Sequence, residues 1–182
     1  MSPVPIVMGV LNVTPDSFSD GGRFAEADVA LSRALAMLAD GADVIDVGAE
    51  STRPGAAAVP PEEQLRRIGS LVRRIVAHGG ACSVDTTSVE VARRALDDGA
   101  TWINSVSLEP ARELGALAAR YGAELVLMHS RGSMTDMRGF GAYADDGYDD
   151  VVHDVAREWS AAASLAIQAG APRERVWLDP GL

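Results

Sequence analysis

The sequence predicts an α/β fold, a (β/α)8 TIM barrel that is incomplete, with about six of its eight βα units present. Three observations carry that expectation. An Ala/Leu-rich amphipathic stretch, a Gly-Ala or Gly-Gly pair, a short β-branched run and a polar residue recur in that order. They do so in "ALAMLADGADVIDVGAE", "RRIVAHGGACSVDTT", "ARRALDDGATWINSVS" and "LAARYGAELVLMHS", and more loosely in "LAIQAGAPRERVWLDPG". Such alternation means βαβ units and a parallel sheet. Each short run ends near a polar side chain, in order Asn12, Asp46, Asp85, Asn104, His129 and Asp179. A series of this kind converging on one rim suits a barrel mouth, whereas an open doubly wound sheet would spread it along an edge. No G-x-G-x-x-G or G-x-x-x-x-G-K-[ST] turn occurs, so a Rossmann or P-loop plan lacks its phosphate site.

The elements follow in order. "MGVLN" reads as the first strand, and Leu31, Leu35 and Leu38 mark the first helix at helical spacing. "VIDVG" is too short for a helix and suits a buried parallel strand. Pro60 and Pro61 introduce the next amphipathic stretch, whose apolar side is Leu65, Ile68 and Val72. "SVD", "WINSV", "ELVLMH" and "VWLD" repeat the strand pattern. Ser130 to Asp150 is Gly- and Asp-rich without periodicity and reads as a long solvated loop, since EF-hand ligand spacing is absent. The helix after it should turn Val152, Val155, Trp159 and Ala163 inward. Residues 1–182 form a single barrel domain in this reading, lacking the last two strands, with exposed edges on strands one and six.

Composition narrows the function. The net charge is −10 and the sequence has no lysine, which disfavours nucleic acid and anionic membranes as partners. A small phosphorylated ligand stays compatible, because one Arg and a few N–H groups bind it locally. The single cysteine, Cys82, lies in "ACSVDTT" and reads as a buried small hydrophobe rather than a nucleophile. No basic leader or membrane-length apolar run is seen, so a cytoplasmic protein is the expectation.

Three segments carry candidate chemistry. "MGVLNVTPDSFSDGG" packs Asn12, Thr14, Asp16, Ser17, Ser19 and Asp20 into one turn, more polar groups than a turn needs. In "GAESTRPGA", Arg53 offers a fork of donors suited to phosphate and Ser51 and Thr52 add hydroxyls; the same loop also reads as a plain polar connection. Asp85, Asn104 and Asp179 together can read the donor and acceptor edge of a heterocycle, though each alone is equally a helix cap or a satisfied core polar group. His129 reads as a structural or a catalytic histidine.

These segments resemble successive signatures of a known family. "MGVLNVTPDSFSDGG", "IDVGAESTRPGA", "SVDTT", "LMH" and "LDPGL" look like the motifs of dihydropteroate synthase, in that family's order and spacing. The resemblance implies a pterin-binding barrel that condenses 6-hydroxymethyl-7,8-dihydropterin diphosphate with p-aminobenzoate, giving 7,8-dihydropteroate and diphosphate in folate biosynthesis. It implies that Asp85, Asn104 and Asp179 bind the pterin with Met128 packing nearby. It implies that Asn12 meets the Mg²⁺–diphosphate unit while Thr52 and Arg53 hold its oxygens. Ser17, Phe18 and Pro54 would lie in two loops closing over the p-aminobenzoate site. It further implies a sulfonamide target, and a homodimer for a full-length form.

Two departures stand out. After the fourth strand the family usually has Asn-Asp-Val, whereas this chain has "NSVSLE" with Ser105 in place of the acid. That segment also resembles pterin-binding methyltransferases that pass a methyl group from methyltetrahydrofolate to a corrinoid. The family's Ser-Arg-Lys and Arg-x-His segments are also missing, so the expectation is a C-terminally truncated chain with little synthase activity by itself. A non-catalytic pterin-binding piece is the remaining alternative.

Overall fold

The computed structural model describes residues 5–13, 23–50, 58–131 and 147–181. Six strands form one parallel sheet in consecutive order. They are β1 (Met8–Asn12), β2 (Val44–Gly48), β3 (Ala81–Asp85), β4 (Trp102–Ser105), β5 (Glu124–Met128) and β6 (Val176–Asp179). The intervening helices are α1 (Arg23–Ala39), α2 (Pro61–Ile68), α3 (Leu71–Ala77), α4 (Val89–Asp97), α5 (Ala111–Tyr121) and α6 (Val151–Gln168). Every strand pairs with the next in sequence, the order a (β/α) barrel requires and a doubly wound sheet does not. Among the described residues β1 and β6 each have one strand neighbour, so this is an incomplete barrel.

Alternation along the strands sorts the two faces. One face carries Leu11, Ile45, Val47, Cys82, Val84, Ile103, Leu125 and Leu127, all essentially fully buried. These pack with helix residues such as Val72, Ile75, Val91 and Leu114 into a single hydrophobic core. The opposite face carries Val10, Asp46, Ser83, Asp85, Asn104 and Trp177 and forms the inner side of the barrel plan. There Val10 is 61% exposed and Trp177 42% exposed, as edge strands with one neighbour leave them.

Local chemistry explains most boundaries. Pro61 opens α2, Glu62 and Glu63 sit in its first turn and Arg66 and Arg67 in its last, each sign matching the helix dipole. Ser88 caps α4 by accepting from the Val91 N–H, and Asp150 caps α6 by accepting from the His153 N–H. The stretch marked by Leu65, Ile68 and Val72 is two helices rather than one. Gly69 takes a φ of 54° and returns its N–H to the Leu65 carbonyl, which stops α2 before α3 begins.

The expected inward face of α6 also needs correction. Ala163 is buried and Trp159 donates its indole N–H to the Leu127 carbonyl at 3.1 Å, but Val152 is 77% exposed. The first turn of α6 buries Asp154 instead, which Arg157 and Arg131 neutralise. Farther along, α6 lies very close to α5: a Cβ at Gly115 would stand 2.5 Å from the Ala166 Cα. Gly115→Ala therefore overpacks this contact, with an expected cost of about 1–3 kcal/mol read as a lowered urea midpoint with unchanged slope.

Candidate functional site: a polar row at the strand ends

The strand register builds the site. Asn12 pairs with Gly48, Gly48 with Asp85, and Asp85 with Asn104. Register partners in a parallel sheet project from the same face, so these four positions form one row across β1 to β4. The row continues through Val126 to Trp177. One tier below lie Val10, Asp46, Ser83, Trp102 and Glu124, again successive partners. One tier above, Met128 pairs with Asp179.

Gly48 has a specific place in the row. A Cβ there would lie 3.1 Å from Asn12 Oδ1 and 3.3 Å from Asp85 Oδ2. The missing side chain lets the Asn12 amide and the Asp85 carboxyl close over the strand between them. Asn104 donates its amide N–H to Asp46 Oδ2 at 2.9 Å, reaching across β3 to do so. Asp179 belongs to the same face but is tied locally, its Oδ1 accepting from the Gly181 N–H at 2.8 Å.

The electrostatics follow from packing carboxyls together. Burial pushes the Asp85 carboxyl up to about 7, and the neighbouring Asp46 and Glu50 charges push the same way. Asp46 is also raised by burial, against the opposing influence of the adjacent Ser83 hydroxyl and Asn104 amide. Burial, with Asp46 adding to it, lifts the fully buried Cys82 thiol to about 12, so it carries no thiolate chemistry.

A second network fixes the edges of the site. Glu50 accepts from the Val59 N–H at 2.7 Å and from the Gln64 amide at 3.3 Å. Gln64 in turn donates to the Val59 carbonyl and accepts from the Thr86 hydroxyl at 2.8 Å. Arg67 donates to the Ala49 carbonyl at 2.9 Å. The two stems of the 51–57 segment are thus bound to each other, to α2 and to the residue after β3.

Of the residues singled out in the sequence, Asn12, Asp85 and Asn104 fall in one row, and Asp179 and Met128 lie on the same face one tier up. Ser17, Phe18, Thr52, Arg53 and Pro54 lie outside the described residues. His129 is not part of the row: it turns to the helix side, buried, where Nε2 meets Glu158 Oε2 at 2.9 Å. Arg131 clasps the same carboxylate and stacks on Tyr148, and the Arg131 fork chiefly holds Glu158 down to about 2. Ser105 faces away from the row as well, its hydroxyl closing the turn to the Ser107 carbonyl at 2.9 Å.

The sequence named Asp46 among the strand-end polar residues without giving it a role, and gave no place to Gly48 or Gln64. Asp46 did carry a signal, a carboxylate in the middle of an apolar strand. Gln64 carried a fainter one, an uncharged polar group on the buried side of a charged helix.

Fold and site together define a barrel-type α/β protein with a polar, carboxyl-rich floor at the C-terminal ends of its strands, the place where barrel enzymes hold their ligands. The chain belongs to the pterin binding enzyme family, whose sequence profile matches residues 8–182. It is 44% identical over 186 residues to the dihydropteroate synthase of Mycobacterium leprae, covering all of this chain and 63% of that protein. A solved Xanthomonas albilineans dihydropteroate synthase with 4-aminobenzoic acid is similar at a TM-score of 0.83 and 42% identity, covering 97% of this chain and 61% of that one. The Burkholderia cenocepacia dihydropteroate synthase complexed with 7,8-dihydropteroate matches at 0.82 and 36%, covering 99% and 59%. The chain spans about 60% of the length of these relatives.

The raised Asp85 carboxyl has a signed consequence. Its proton is held more tightly in the folded than in the unfolded chain, so the stability it contributes is complete below its ordinary value of 3.8 and lost as pH rises to about 7. Urea unfolding of the wild type between pH 4 and pH 8 should therefore lose stability relative to Asp85→Asn, which cannot ionise there. A pH-independent difference between the two would show that Asp85 titrates normally.

Proposed function

We propose that this chain forms the pterin-binding part of a dihydropteroate synthase. The observation supporting it most directly is the single row of Asn12, Asp85 and Asn104, with Asp179 and Met128 above it on the same face. A flat heterocycle lying against this row meets carboxyl and amide groups along its polar edge and a thioether against its ring. The relatives crystallised with 4-aminobenzoic acid and 7,8-dihydropteroate support the choice of ligand.

In the reaction we propose, the amine of p-aminobenzoate attacks the exocyclic methylene of 6-hydroxymethyl-7,8-dihydropterin diphosphate. A C–N bond forms, the C–O bond to the diphosphate breaks, and the amine nitrogen gives up a proton. Positive charge grows on the methylene while negative charge leaves with the diphosphate, so both need support away from water. Asp85, Asn104 and Asp179 would hold the ring still, leaving the methylene at the mouth. Thr52 and Arg53 would receive the departing oxygens, and Ser17, Phe18 and Pro54 would flank the incoming p-aminobenzoate.

The donor set bears on Mg²⁺. Among the described residues no three His, Cys, Asp or Glu side chains gather as a metal site. The Asn12 amide oxygen, beside the Asp85 carboxyl, fits the role of one neutral ligand to an ion that enters on the diphosphate, since Mg²⁺ keeps water and phosphate oxygens and takes few protein ligands. When bound, such an ion would neutralise the diphosphate charge.

Titration calorimetry with 6-hydroxymethylpterin tests this reading. Asp85→Ala and Asn104→Ala should each weaken binding by about 10- to 100-fold, the loss of a hydrogen bond involving a charged group or an orphaned partner. Unchanged affinity in both variants would remove the row from the ligand site.

A further inference from the structure

We propose that Asp46 is a positioning residue for ligand recognition: its carboxylate locks the Asn104 amide in one orientation and so decides which of the ligand's polar groups that amide accepts. The identity of the ligand rests on the pterin-binding reading above; the lock itself rests on the geometry of β2, β3 and β4.

Asp46 is the third of five residues in β2 and is 3% exposed. Its register partner on β3 is Ser83, which is fully buried, and Asp85 is the next residue up on the same face. The Asn104 amide comes from the strand beyond and passes over β3 to put Nδ2 2.9 Å from Asp46 Oδ2. A side-chain amide has a donor end and an acceptor end that differ little in shape, and only its partners distinguish them. A half-turn of Asn104 would set Oδ1 against the carboxylate oxygen, acceptor to acceptor. The carboxylate thus selects one of two nearly isosteric states. In the selected state Asn104 keeps Oδ1 and one N–H, fixed in direction, beside the Asp85 carboxyl.

A purely structural role fits Asp46 poorly. A carboxyl buried in the middle of a strand is costly to desolvate, and an apolar residue of similar volume would fill the place more cheaply. The same strand uses Val44, Ile45, Val47 and Gly48 at its other buried positions. Its register partner on β3, the fully buried Ser83, puts a hydroxyl in the same place. Both groups belong to the tier directly beneath the row, which places this polarity under the ligand rather than under the helices.

The test uses Asp46→Leu, which keeps the volume and removes the acceptor, and Asp46→Asn, which keeps an acceptor but permits either amide state. In the ¹⁵N-labelled chain, the Asn104 side-chain amide should exchange its bonded hydrogen at least tenfold faster in Asp46→Leu than in the wild type. Binding of 6-hydroxymethylpterin should fall tenfold or more in Asp46→Leu and less in Asp46→Asn, while the urea midpoint of both variants holds or rises. In an Asn104→Ala background the Asp46 changes should alter binding less than twofold. Unchanged amide exchange overturns the proposal, as does an Asp46 effect on binding that persists without Asn104, or a loss of binding that tracks a loss of stability. Absence of pterin binding by the wild type would overturn the ligand reading instead, and amide exchange would then decide the lock alone.

Discussion

The in-register parallel pairing of β1 to β4 is the constraint on which the rest of this structure depends. Alternation along each strand sends Ile45, Val47, Val84 and Ile103 to the helices and Asp46, Asp85 and Asn104 to the other face. A slip of one residue in any strand would exchange those sets, burying carboxyls among the helices and exposing the core. The same hydrophobic burial that secures the fold therefore also secures the site. No separate interaction is needed to bring Asn12, Asp85 and Asn104 into line.

Crowding acids on one face has a cost that the molecule distributes. Asp46, Asp85 and Glu50 lie close enough that burial and mutual repulsion hold Asp85 near neutrality. The neighbouring donors are divided among them: Asn104 gives one N–H to Asp46, and Gln64 and the Val59 N–H serve Glu50, while Arg67 goes to the Ala49 carbonyl. Among the described residues the floor is rich in acceptors, a state that a ligand carrying N–H groups would relieve. Perturbed carboxyls gathered at a barrel's strand ends are a physical sign of a binding site, because a fold selected for stability alone would fill that space with apolar groups.

Two networks outside the row serve its rims. Glu50, Gln64 and Thr86 tie the stems of the 51–57 segment to α2 and to the residue after β3. His129, Arg131 and Glu158 tie the stem after β5 to α6. In each case a buried or half-buried side chain satisfies several partners at once and so fixes the stem in place. The exposed Val10, Trp177 and Leu178 mark the two sheet edges, where the pattern of burial stops.

Much of this was legible in the sequence because it depends on local order. The repeat of amphipathic stretch, Gly pair and β-branched run determines a parallel α/β chain, and polar residues closing each run determine that one end of the sheet is chemical. Motif order added the pterin-binding kinship. Reading the helices failed where a single residue overrode periodicity: Gly69 divides one apolar stripe into α2 and α3, and Val152 loses its inward place to the ion-paired Asp154. What only tertiary structure decided is which side chains meet. Asp46 and Asn104 lie 58 residues apart, and their contact exists because two strands of matched register flank a third. His129 and Asp179 each end a strand-like run, yet one turns to the helices and the other to the inner face, since a shift of a single residue along a strand reverses the direction of its side chain.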